Sequence, residues 1–386
     1  MNEEVQKIFT KLEEYISKEK WKGWDPFDAL NSKLLKSLTL NNKLLGIFFT
    51  HLLKKLPLNL RGVLGIKRDY NPKAIGLFAS GYLLNYQRTS DKRYLERAKF
   101  FIDWLIDNFS KGYSGYCWGY NFDWPNRAFY AKKGIPTIVN TSFIANAFID
   151  AYKMLDNEKY LRIARSSCDF IIKDLNRFIE NDTFCFSYTP IDNSRIHNAN
   201  ILGSALLARV YSLTKEDILL DYCDKSVRFT VKHQNDNGSW YYGEAKNQKW
   251  IDLFHTGYVL ESLENYIRFT GNRDYEENLK TGFDFFLENF FENGVPKYYH
   301  NQVYPIDVHC SAQAIITLLK LKRLDGNSTE LAKKVAAWTI KNMHDERDYF
   351  YYQKYRHYIN KIPYMRWIQA WMFKALIMLL KEEGID

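Results

Sequence analysis

The sequence predicts an all-α fold, an (α/α)6 toroid in which six buried helices form an inner ring and amphipathic helices form an outer one. Three observations predict it. Only 9 Pro and 19 Gly serve 386 residues, so breakers are few and helices long. A strongly apolar, small-residue-rich segment recurs six times at intervals of 54 to 66 residues, which marks a repeat architecture. Each of the first five is followed by a helix whose apolar residues recur at three- and four-residue steps.

The apolar segments are FASGYLLNY from Phe78, IANAFIDAY from Ile144, GSALLARVY from Gly203, YVLESLENY from Tyr258, AQAIITLLK from Ala312 and QAWMFKALI from Gln369. The amphipathic partners begin at Asp91, Asn157, Glu216, Arg273 and Ser328. A helix apolar all round is buried on every side, whereas an amphipathic one has a wet face. Closing the hairpins into a ring satisfies both. The sixth outer helix must then come from the N-terminal region, and Asn42 to Leu56 is the expected candidate. Residues 1–60 are expected to pack on or complete the ring, and 61–386 to form it. An open solenoid is the alternative, because repeats do not prove closure.

Aromatic residues reach 17%, with 28 Tyr, 26 Phe and 10 Trp. Many lie in the loops that lead from an outer helix to the next inner one, such as GYSGYCWGYNFDWPNRAFY and NGVPKYYHNQVYP. In a toroid these loops share one rim, around the mouth of the central cavity, and long loops of this kind carry function.

Composition excludes several classes. No run of apolar residues is long enough to span a bilayer, and the charged N-terminus lacks the order of a secretory signal. The five cysteines, at 117, 168, 185, 223 and 310, are odd in number and form no CxxC pair. A reducing, cytoplasmic setting is expected. No P-loop and no strand-flanked GxGxxG is present. The net charge of +9 favours an anionic partner, but basic residues form no stripe, so nucleic acid is not expected. The basic, apolar stretch from Leu30 to Leu56 has two readings: an outer helix packed on the ring, which is favoured, or a segment lying on a membrane surface near a lipid-linked substrate.

Polar residues gather where the inner helices begin. They include Asn140, Asn198, Asn200, Asp252, His255, Asp307, His309 and Arg366. Helix capping accounts for some of the Asn and Asp. It does not account for two histidines and an arginine in equivalent places, where helix N-termini add positive potential. Asp252, His255, Asp307, His309, Tyr364 and Arg366 are therefore the expected catalytic set. Trp118, Trp124, Trp240, Tyr241 and Trp367 are expected as stacking platforms for sugar rings, with Asn140, Asn198, Asn200 and Asp123 as further binding groups. Arg127, Arg195 and Arg366 could fork onto a carboxylate, phosphate or sulfate. Asp307, His309 and Cys310 are zinc-ligand types. Adjacent residues at a helix start point apart, however, and no spaced second pair accompanies them, so neither metal nor cofactor is expected.

The alternation of buried and amphipathic helices with aromatic loops resembles the (α/α)6-toroid enzymes: six-hairpin glycosidases, uronyl hydrolases, polysaccharide lyases, sugar epimerases and terpenoid-cyclase or prenyltransferase-like proteins. The strings NLRGVLGIKRDYNPK, CWGYNFDWPNR, DLFHTGY, PIDVHCSAQ and PYMRWIQAW are similar to proteins of bacterial and archaeal surface-polysaccharide gene clusters. The DxDD acid of squalene cyclases, the prenyltransferase zinc pattern and the lanthionine-cyclase Cys-His ligands are not reproduced. The resemblance implies a carbohydrate-active enzyme, with a glycan-binding scaffold and an isoprenoid enzyme as rivals. Hydrolysis needs two carboxyls, for which Asp252, Asp307 and Asp123 are at hand. A lyase or epimerase needs a base and a cation, for which His255, His309 and Tyr364 stand with Arg366 or Arg127.

Overall fold

The structure, a computed structural model, describes residues 2–384. Six inner helices, α4 (Pro72–Thr89), α6 (Ile138–Leu155), α8 (His197–Thr214), α10 (Leu253–Thr270), α12 (Val308–Lys320) and α14 (Ala370–Glu383), pack in that order. α14 returns to α4, so the ring is closed. The first four are each 18 residues long, about 27 Å at 1.5 Å per residue. Each of these four ends on a residue with positive φ: Ser90, Asp156, Lys215 and Gly271. That left-handed step turns the chain sharply into the outer helix. Small residues let neighbouring inner helices close up: a side chain at Gly203 would strike Ile138.

The outer helices are α5 (Lys92–Asp107), α7 (Glu158–Asp174), α9 (Asp217–Lys232), α11 (Glu276–Asn289) and α13 (Ser328–Met343). The sixth outer place is taken by α1 (Asn2–Lys18), which packs on α14. Its stripe of Val5, Phe9, Leu12 and Ile16 is buried, and Phe9 stacks on Phe373 at 5.0 Å. This corrects the expectation for Asn42 to Leu56. That stretch does form a helix, α3 (Lys43–Lys55), but it buries only Gly46, Thr50 and Leu53. With so narrow an inward stripe it sits across the loop rim, against the short strand β1 (Trp124–Pro125). The six-residue α2 (Lys33–Leu38) precedes it.

The outer-to-inner loops carry short hairpins and follow one rule. The first amides of α6, α8, α10 and α12 (Ile138, His197, Leu253 and Val308) donate to the carbonyls of Tyr188, Tyr242, Tyr298 and Tyr352, each in the following loop. Helix starts leave such amides without intrahelical partners, and here the neighbouring loop supplies them. α14 is led in by a π-helical turn, Met365–Gln369, and the start of that turn obeys the same rule through the N-terminal strap, residues 19–31. Met365 N–H donates to Trp24 O at 3.2 Å. α4 begins with Pro72, which has no amide to satisfy.

Candidate active site at the ring mouth

Capping positions two of the candidate acids. Asp252 is the N-cap of α10 and accepts from His255 N–H; Asp307 is the N-cap of α12 and accepts from His309 N–H. Asp252 then holds the His255 ring, with Oδ2 2.6 Å from Nδ1, and also accepts from Trp250 Nε1 at 2.9 Å. This fixes the proton on Nδ1 and leaves the Nε2 lone pair free. Asp307 accepts from Gln353 Nε2 at 2.6 Å and from Trp367 Nε1 at 3.2 Å. Burial raises its pKa to about 6. All four carboxylate oxygens are thus engaged within the protein.

The two histidines flank one aromatic ring. Phe254 lies 4.0 Å from the His255 ring and 4.8 Å from that of His309. His309 is stacked between Phe254 and Trp371, with Trp367 against its edge. Its Nε2 meets Tyr258 Oη at 2.9 Å. Burial, with Lys73 and Arg366 nearby, pushes its pKa well below the ordinary histidine value. His255 is the more open of the two, its side chain 20% exposed beside Tyr241 and Tyr242.

Lys73, in the first turn of α4, points into the same interior. Its Nζ lies 4.3 Å from the Phe143 ring and 5.3 Å from that of Trp371. Burial, reinforced by Arg366, drives its pKa well below that of a free amine. Asn140 (both ends of its amide), Asn198 Oδ1, His309 Nδ1 and Trp371 Nε1 are buried with no protein partner among the described residues. Unpaired buried polar atoms are uncommon, and sugar hydroxyls are of the right chemistry to meet them.

Several expected residues lie elsewhere or do other work. Trp118 and Trp240 are core residues whose indole N–H groups donate to Leu105 O and Thr230 O. Neither ring can stack on a sugar. Asn200 pins Phe186 N–H, Ser226 O and Thr230 Oγ1. Asp123 accepts from Tyr130 Oη and Lys133 N–H and pairs with Lys36. Burial opposes its charge, but these partners hold its pKa below the usual carboxylate value; it ties the loop together. Tyr364 is buried beneath the Arg61 guanidinium, and burial raises its pKa; no hydrogen bond ties it to either histidine among the described residues. Arg366 is paired through two hydrogen bonds with Asp25 and is not free to clamp an anion. Arg195 stacks on Phe178 instead. Cys310 is buried, and burial raises its thiol pKa well above the ordinary value.

Arg127 stays at the rim, donating to Asn247 O with its guanidinium 5.7 Å from the Trp250 ring. Trp124 is partly exposed within a cluster of Phe27, Tyr120, Phe129 and Tyr188. Trp367 joins Phe27, Phe254 and His309. Sequence reasoning missed Lys73, Tyr258 and Asp25. The first two sit within helices that read simply as core. Asp25 lies 341 residues from its partner. Among the described residues no group of three His, Cys, Asp or Glu could hold a metal ion; Asp307 and His309 are turned to different partners.

Residues 69–252 match the profile of Glycosyl Hydrolase Family 88. A sugar epimerase from a ruminal bacterium superposes with a TM-score of 0.64 at 14% identity, covering 83% of this chain and 91% of that one. The cellobiose 2-epimerase of Bacillus thermoamylovorans gives 0.64 at 12%, covering 81% and 88%. An unsaturated glucuronyl hydrolase of a Bacillus species gives 0.60 at 16%, again covering 81% and 88%. No curated protein matches the chain at a significant level. At these identities the likeness is one of fold, the closed double ring of helices.

Proposed function

We propose that this carbohydrate-active enzyme, a member of the six-hairpin glycosidase-like superfamily, moves a proton on a bound sugar, in an epimerase- or isomerase-type reaction. The observation that supports this reading is the His255–Asp252 dyad facing the Tyr258–His309 pair, while the carboxylates of Asp252 and Asp307 are fully engaged. Two-carboxylate hydrolysis asks for a free acid and a free base or nucleophile. Proton abstraction next to a carbonyl asks for an oriented base and a group that receives the charge.

In this mechanism His255 Nε2 takes the proton from the carbon next to the carbonyl. The electron pair passes to the carbonyl oxygen as an enolate, which Lys73 can stabilise as donor. The Tyr258–His309 pair returns a proton to the opposite face. Tyr258 supplies that proton and is left as tyrosinate; the proton on His255 then passes to it by way of solvent at the partly open His255, which restores the starting state. Asp252 keeps the imidazole in the correct tautomer and stabilises its protonated form. Trp124 and Tyr241, both partly exposed, offer aromatic faces at the mouth. Arg127 at the rim supports a substrate bearing a negative charge, such as a uronic acid within a surface glycan. Five free, buried thiols suit action in a reducing, cytoplasmic compartment.

The test is incubation in D2O with reducing disaccharides and uronate-containing oligosaccharides, followed by proton NMR. Deuterium should appear at the carbon next to the carbonyl, together with a second epimer, and His255→Ala should abolish both. New reducing ends without deuterium at that carbon would replace this reading with hydrolysis.

A further inference from the structure

The segment that crosses the rim has an unusual surface. Ten of the seventeen large apolar side chains exposed among the described residues fall between Leu34 and Val63. They are ordered: Leu34 and Leu38 lie one turn apart on α2, and Leu44, Phe48 and Leu52 form an i, i+4, i+8 stripe on α3. Leu44 is 73% exposed and Val63 90%. The same stretch is wholly basic: residues 29–68 hold eight Lys or Arg and no Asp or Glu. Arg61 turns inward to Asp28 and Lys36 pairs with Asp123, but Lys33, Lys55 and Lys67 are exposed.

We infer that this α2–α3 face docks on an anionic lipid surface, lying in the headgroup layer. Exposed leucine and phenylalanine in a segment that carries lysine and no acid is the composition that interfacial helices use. Charge argues against a second copy of this chain, since two such basic faces would repel. The apolar stripe argues against nucleic acid. Neither helix is long and apolar enough to cross a bilayer. The face adjoins the ring mouth: α3 packs on β1, and Asn360 Nδ2 donates to Leu56 O at 3.1 Å. Docking therefore brings the sugar site next to the lipid, where a glycan carried on a lipid would be presented. That last step rests on the proposed glycan chemistry; the docking does not.

The test is co-sedimentation of the full chain with phosphatidylcholine vesicles, with and without phosphatidylglycerol. Partitioning should rise about tenfold with the anionic lipid at low salt and fall as salt is added. Leu44→Gln/Phe48→Gln/Leu52→Gln should lose about tenfold in partitioning, with unchanged circular dichroism and melting because these side chains are exposed. Lys33→Gln/Lys55→Gln/Lys67→Gln should flatten the salt dependence. Three results would overturn the inference: no binding to anionic vesicles, equal binding by the triple leucine–phenylalanine variant, or a dimer that this variant dissolves while vesicles bind nothing. Deuterium incorporation on soluble sugars is read separately, so loss of either result leaves the other standing.

Discussion

Asp25 and Arg366 form a buried ion pair across nearly the whole chain. Arg366 Nη2 is 2.8 Å from Asp25 Oδ1, and Nε donates to Oδ2. Asp25 lies in the strap and Arg366 at the start of the last inner helix, so the pair locks the strap over the mouth. Both side chains are nearly fully buried. Removing one partner strands the other charge, which costs about 3–5 kcal/mol. Asp25→Ala should lower the stability in denaturant by that amount. Asp25→Ala/Arg366→Met should recover part of the loss in the same titration.

His255 depends on Asp252 for its tautomer. Asp252→Asn should lower the rate of deuterium incorporation by about 10²–10⁴-fold with the fold intact. Asp307 touches the backbone of His309 but not its ring. Asp307→Asn should therefore cost less than tenfold, and an equal loss in the two variants would count against the dyad.

Asp307 also sets a pH dependence. Its folded pKa of about 6 lies above the ordinary 3.8, and burial is the main cause. The folded protein thus holds this proton more tightly than the unfolded chain. The group's contribution to stability is fully present below about pH 4 and is lost as pH rises to about 6. The loss is on the order of 2–3 kcal/mol. Melting curves of wild type and Asp307→Leu across that window should differ in slope, with the variant flatter.

Of the four tryptophans expected as stacking platforms, Trp118 and Trp124 divide by environment. Trp118→Ala empties a core site and should cost about 3–5 kcal/mol, with little change in KM for protein that remains folded. Trp124→Ala should leave most of the stability and raise KM about tenfold. Parallel denaturation and steady-state kinetics separate the two effects.

The inner helices were legible because burial on all sides leaves a local mark in every repeat. Their starts were legible through Asn71, Asp252 and Asp307, whose side chains cap the first turns. Trp118 and Trp240 misled because glycines flank them. Gly119 lies tight against the Gly134–Ile135 backbone, and Gly282, on the outer helix α11, makes room for Trp240: a side chain there would strike its ring. Sequence periodicity also could not rank α1 against α3 for the sixth outer place. Both are amphipathic, and the choice is made by α14, more than 300 residues downstream.

That late choice has a consequence for synthesis. The helix that fills the sixth outer place leaves the ribosome more than 300 residues ahead of the helix it packs on. Val5, Phe9, Leu12 and Ile16 must wait for their partner until α14 has been made. Chaperone demand should therefore be greatest for nascent chains in which α1 has emerged and α14 has not.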